Sequence, residues 1–104
     1  MKIFVLKSKI HNLRVEDKRL HYEGSLGLPS KLMREANLYP FERVEVYNIT
    51  NGKRFSTYVV ESDRVILLGA AARMGEVGDL LIVASYTLID ESEAKTWKPK
   101  IVVL

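Results

Sequence analysis

Few residues in this sequence belong to types that carry reaction chemistry by themselves. The histidines are His11 and His21, ten positions apart, and there is no cysteine. A structural zinc needs four well-placed ligands, and the acidic residues fall mostly on turns, so no metal site is expected. No serine lies in a nucleophile elbow, and no glycine-rich loop has the spacing that cradles a phosphate. Basic and aromatic residues meet at Lys53-Arg54-Phe55 and at Tyr58, with Tyr22 and Tyr47 elsewhere. On a small barrel such residues could stack RNA bases, but no second basic-aromatic strand supports them. The remaining candidate is Gly24-Ser25, a pair that taken alone reads as a turn.

The elements that must position these residues are mostly strands. Residues 3–15 alternate as a strand with a bend near His11-Asn12, and residues 20–23 form a short extended piece ending at Gly24. Pro29 opens a two-turn helix over PSKLMREANL, which Pro40 helps to end. Residues RVEVYNI and RFSTYVV flank Asn51-Gly52, the pattern of a hairpin. Residues 64–68 form a further strand, Gly69–Arg73 a tight helical turn, and LLIVASYTLI (80–89) an apolar strand. Residues 90–94 read as a turn or short helix, and 100–104 as the last strand. If the strand after the hairpin turn is regular, Arg54, Ser56 and Tyr58 share one face, and Phe55 and Thr57 the other. So many strands with so little helix fit an all-β fold with short helices, closed as a small barrel to remove exposed edges.

The 104 residues, 47% hydrophobic and 28% charged, suit one domain over 1–104 with a single core. Oligomerisation is a natural supplement at this size. The net charge is +3, divided as eleven basic and six acidic residues up to position 54, then five and seven. That asymmetry is too weak to call for nucleic acid. The apolar stretch Ile3–Leu6 is too short for the core of a secretory signal, and no run is long enough to span a membrane, so a cytoplasmic protein is expected.

One combination of segments is specific. Lys9 in KSKIH, YEGS at 22–25, NITNGKRFSTY at 48–58, GAAAR at 69–73, VGD at 77–79 and TWKP at 96–99 together resemble aspartate 1-decarboxylase, a family of self-processing pyruvoyl enzymes, over nearly the whole chain. The resemblance implies a double-psi β-barrel in a homotetramer with active sites between subunits, and leaves room for a maturation factor. It implies L-aspartate as substrate, β-alanine and carbon dioxide as products, and a place in coenzyme A precursor synthesis. It also implies a proenzyme cut between Gly24 and Ser25 into 1–24 and 25–104, the second piece headed by a pyruvoyl group formed from Ser25.

Chemistry supports that location. Gly24 leaves its carbonyl carbon open to the Ser25 hydroxyl and can adopt backbone angles closed to other residues. Attack turns the amide into an ester, and a donor must meet the developing oxyanion; the resemblance gives that role to Thr57. Elimination would then release the Gly24 carboxylate, and hydrolysis with loss of ammonia would leave the ketone. The substrate amine would condense with that ketone as a Schiff base, so that carbon dioxide leaves into an electron sink. The resemblance assigns Tyr58 as proton donor to the resulting carbanion, and a phenol near pKa 10 suits so basic a centre. The resemblance supports Arg54 and Lys9 in substrate binding, Arg54 as a two-pronged match to a carboxylate and Lys9 as a point charge, whereas composition alone would read either as a solvent-facing charge. Tyr22, just before the cleavage point, is expected to line the pocket. Gly69, Ala70, Ala71 and Ala72 would keep it tight enough for a small amino acid or let two barrel elements or subunits pack closely. Thr57 and Tyr58 are both wanted near one site, although a regular strand turns them to opposite faces.

Two departures stand out. Leu68 occupies the position where the family usually has an asparagine before GAAA, which removes an amide donor and implies slower maturation. Tyr47 stands where some members have tryptophan. The competing readings are an unprocessed homologue acting as a structural or binding subunit, and a small RNA-binding barrel.

Overall fold

A computed structural model describes residues 1–104. Its strands are β1 (Lys2–Arg14), β2 (Asp17–Arg19), β3 (Leu26–Pro29), β4 (Arg43–Asn48), β5 (Arg54–Ser62), β6 (Ile66–Leu68), β7 (Leu80–Asp90) and β8 (Lys100–Val103). One short helix, α1 (Ser30–Glu35), and 3-10 turns at Gly69–Met74 and Glu91–Glu93 complete it. The strands form one sheet in the order β2-β6-β3-β5-β4-β7-β1-β8. Only Val15 and Glu16 separate β1 from β2, so strands from opposite parts of that order belong to one ribbon. Seventeen buried residues form the core, among them Ile10 of β1, Leu26 and Leu28 of β3, Val46 of β4, Val59 of β5 and Val83 of β7.

The bend expected in β1 is present. Its register with β7 shifts between Ile10 and Leu13, and Asn12 has φ 60°, a left-handed conformation that asparagine tolerates better than most residues. A second shift lies between Leu6 and Ser8, where the Trp97 indole N–H donates to the Leu6 carbonyl at 2.7 Å. The hairpin of β4 and β5 also forms, around Gly52 at φ 78°. The side-chain oxygen of buried Asn48 accepts from the amides of Thr50 and Asn51, and its Nδ2 donates to Asp79 at 2.9 Å.

Three local readings differ from the expectation. The extended piece lies at Asp17–Arg19, paired with β6, and not at 20–23. The helix ends at Glu35, earlier than Pro40 alone would require. Asn37, at φ 57°, donates its N–H to Arg34, while Leu38 donates to Met33. This pair of bonds satisfies the last carbonyls and stops the helix. The sequence predicts a helix opening at Pro29 and no element over residues 26–28, whereas Leu26–Pro29 is a strand parallel to β5. Leu26 and Leu28 are fully buried there, each worth about 1.5–3 kcal/mol of hydrophobic stabilisation.

Candidate active site

Ser25 is buried immediately before β3. Its carbonyl accepts the Leu68 N–H at 2.7 Å, which ties it to β6, and its hydroxyl oxygen accepts the Tyr58 N–H at 3.4 Å. The second contact follows from topology. Leu26 pairs with Val59 across the parallel β3–β5 ladder, so Ser25 falls beside Tyr58. A backbone N–H lies in the plane of the sheet, and the face taken by the side chain does not affect it.

Gly24 has φ 122°, a conformation that residues with side chains rarely adopt. A Cβ there would also meet the Leu68 Cδ1 at 3.0 Å. On the other side lies Gly69, at φ 62°. A Cβ on Gly69 would stand 3.0 Å from the Tyr22 carbonyl oxygen and 3.1 Å from that of Gly24. The absence of two side chains therefore lets the Gly24–Ser25 peptide approach the start of the 3-10 turn. Ala71 and Ala72 pack into the core beneath it, whereas Ala70 is exposed. A cleft of about 480 Å³ opens beside this peptide and includes Tyr22, Gly24, Ser62 and Leu68 in its walls. Arg64, also in that wall, is held by Asp17 at 2.8 Å and Asp63 at 3.1 Å, and the hydrogen bond from Arg64 keeps the Asp17 carboxyl below the usual range.

The regular alternation expected of β5 is observed. Arg54, Ser56 and Tyr58 are exposed, while Phe55 and Thr57 are half-buried on the inner face. Tyr58 thus reaches Ser25 through its amide, while the Thr57 side chain turns inward without a hydrogen bond to Ser25 or Gly24. The Tyr58 ring lies on the outer face, 6.4 Å from the ring of Phe41.

That outer face carries Lys9 and Arg54 as well. In register, Lys9 of β1 lies opposite Ala84 of β7, Ala84 opposite Glu45 of β4, and Glu45 opposite Ser56 of β5. The Arg54 guanidinium stacks 4.5 Å above the Tyr47 ring, and the Tyr47 and Tyr86 hydroxyls are 3.0 Å apart. The hydrogen bond to Tyr86, together with burial, pushes Tyr47 up to about 12. Arg54 is four residues along β5 from Tyr58, about 13 Å at the usual strand rise. Arg54 and Lys9 therefore share the outer face but stand three strands apart, about 14 Å across the sheet, and neither belongs to the group around Ser25 and Gly24.

The histidines join neither group through a hydrogen bond, and no three His, Asp or Glu side chains converge as a metal site would require. No helix is long and apolar enough to cross a membrane. Sequence reasoning missed the Tyr58 and Leu68 amides as partners of Ser25, because both depend on strand pairing. It also missed Tyr86, for which the only signal was a single tyrosine in an apolar strand.

Comparison with known proteins gives the same family as the motifs. The family model described as aspartate decarboxylase matches residues 1–104. The chain is 48% identical to the aspartate 1-decarboxylase of Sulfurihydrogenibium sp. over 104 residues, covering 96% of this chain and 78% of that protein. It is 48% identical to that of Persephonella marina, covering 100% and 77%, and 50% identical to that of Syntrophus aciditrophicus, covering 95% and 89%.

Proposed function

Given that this chain belongs to the aspartate decarboxylase family, we propose that it makes its own catalytic ketone from Ser25 and uses it to convert L-aspartate to β-alanine and carbon dioxide. The observation that carries this reading is the setting of the 24–25 peptide. Ser25 is buried with its hydroxyl oxygen under the Tyr58 amide, and Gly24 stands in a left-handed conformation with its carbonyl against a residue that has no side chain.

The first reaction is self-cleavage. Ser25 Oγ attacks the Gly24 carbonyl carbon and its proton passes to the departing Ser25 nitrogen, so the amide becomes an ester. Thr57, on the adjoining inner face of β5, is assigned to the oxyanion that forms on the Gly24 oxygen. The Leu68 amide is already engaged by the Ser25 carbonyl, and its side chain offers only hydrocarbon to Gly24. Elimination frees the Gly24 carboxylate, and water replaces the nitrogen, which leaves as ammonia. Burial of Ser25 keeps bulk water from the ester before elimination. Residues 1–24 remain attached after the cut because β1 is built into the sheet between β7 and β8.

Once formed, the ketone supplies a Schiff-base electron sink for the carboxylate that leaves as carbon dioxide. The chain's own residues do the rest. Arg54 grips a substrate carboxylate with its planar fork, Lys9 adds positive charge, and the Tyr58 phenol returns a proton to carbon. Tyr22, Gly69 and Ala70 confine a small substrate, with Ala71 and Ala72 packed in the core beneath them.

The separation of Arg54 and Lys9 from Ser25 supports a site shared between subunits of a homotetramer built from double-psi barrels. So does the ribbon of residues 2–6 and 86–90, which pair only with each other and leave Phe4 and Leu88 exposed. The reading is tested by the mass of the intact protein and of Ser25→Ala. A processed wild type and an uncut, inactive variant support it. A wild type that stays a single 104-residue chain without turnover would favour the structural-subunit alternative.

A further inference from the structure

We propose that Tyr86 is a positioning residue for aspartate recognition: its hydroxyl fixes the Tyr47 phenol, and the Tyr47 ring holds the Arg54 guanidinium ready for a carboxylate. The proposal rests on the assignment of Arg54 to substrate binding.

Arg54 has no anionic partner within the chain. Arg43 and Arg64, by contrast, are engaged by carboxylates, at 3.5 Å from Glu45 and 2.8 Å from Asp17 respectively. An exposed arginine with no anionic partner would ordinarily sample many rotamers. Here the guanidinium lies 4.5 Å over the ring of Tyr47, directly opposite on β4. Stacking restrains its plane while leaving its N–H edges free for a two-oxygen acceptor.

The ring that does the restraining is itself restrained. Tyr47 pairs with Ile82 in register, and Tyr86 lies four residues further along β7. Between them stands Ala84, whose methyl group leaves room for the two phenols to lean together until their oxygens are 3.0 Å apart. Ala84 is 1% exposed beneath them. Glu45, on the same face of β4, accepts from Ser56 at 3.1 Å and pairs with Arg43 at 3.5 Å, and forms no ion pair with Arg54. Lys9 faces Ala84 from β1, which places the second cation of the proposed recognition surface beside the same pair of phenols. The phenol pair is thus a strut between β7 and β4 whose free end carries the arginine.

The test uses the mature enzyme and three variants. Tyr86→Phe removes one oxygen and keeps the ring. It should raise KM for aspartate about fivefold, leave kcat within about twofold, and leave self-cleavage unchanged by intact mass. Tyr47→Phe removes the other end of the same bond, so it should do the same, and the double variant should be no worse than either single one. In alkaline absorbance titration the tyrosine that ionises near 12 should return toward 10 in Tyr86→Phe. Arg54→Ala serves as the reference. If it loses aspartate affinity while Tyr86→Phe has wild-type KM, the strut is refuted and the role of Arg54 stands. If Arg54→Ala itself keeps wild-type KM, the assignment beneath the proposal fails, and the proposal with it.

Discussion

The Tyr58 amide donates to the Ser25 hydroxyl oxygen at 3.4 Å, although the Tyr58 side chain points to the other surface of the sheet. Backbone and side chain of one residue are thereby available to two different tasks. The amide meets the oxygen proposed to attack Gly24, and the phenol remains on the face that carries Arg54 and Lys9. This arrangement removes the conflict that strand alternation posed for Thr57 and Tyr58. On the proposed reading the inner face would serve maturation through Thr57, and the outer face turnover through Tyr58.

Thr57→Val keeps the shape of the inner face and deletes its hydroxyl. Loss of one oxyanion donor costs about 10²–10³ in rate in other enzymes, so self-cleavage should slow by about that factor. Timed gels of freshly made protein measure it. Processing at the wild-type rate would reassign the oxyanion donor.

Gly69→Ala places a methyl group 3.0 Å from the Tyr22 oxygen and 3.1 Å from the Gly24 oxygen, at φ 62°. The conformational strain is about 1–2 kcal/mol, and the two carbonyls must move as well. The variant should melt lower and process more slowly, because the carbonyl under attack is displaced. Unchanged melting together with unchanged processing would mean that the close approach is dispensable.

Arg54→Lys retains the charge and loses both the fork and the flat surface that stacks on Tyr47. KM for aspartate should rise about tenfold, with self-cleavage unaffected. Steady-state kinetics on fully processed protein provide the check, and a wild-type KM would remove the two-pronged contact.

Legibility in the sequence tracked how local each cause was. The Asn51-Gly52 hairpin and the bend at Asn12 are written in residues that tolerate unusual backbone angles, so both could be read directly. The end of α1 was misplaced because Asn37 acts through two bonds to Met33 and Arg34, and a proline nearby offered a simpler reason to stop. β3 was missed because it has only four residues and owes its state to flanking strands. The site divides in the same way. Gly24, Ser25, Arg54 and Tyr58 are proposed from motifs, whereas the amides of Tyr58 and Leu68 and the hydroxyl of Tyr86 depend on register between distant strands.

Acid should destabilise the fold through carboxylates whose ionised forms are favoured by folding. Burial pushes Glu42 up, but hydrogen bonds from Lys7, the Tyr39 amide and Ser85 outweigh it, so its folded value is lowered. Asp79 is lowered by the Asn48 amide and the Glu76 N–H. A lowered folded pKa contributes stability above the unfolded value, about 4, and that stability is lost as pH falls through the folded value. Melting temperature should therefore change little from pH 7 to 5 through these groups and drop below about pH 4. Asp79→Asn turns an acceptor toward the Asn48 amide into a group that can present a donor. It should cost about 1–3 kcal/mol at neutral pH and flatten the acid response. A melting curve with the wild-type acid dependence in that variant would assign the loss to other groups.

The most direct test of the account is the intact mass of purified, active protein before and after borohydride treatment. Two chains are expected, residues 1–24 and residues 25–104, the longer one lighter by one ammonia than a serine-headed chain and heavier by two hydrogens after reduction. Aspartate turnover by protein in which Gly24 and Ser25 remain joined by an ordinary amide would contradict it.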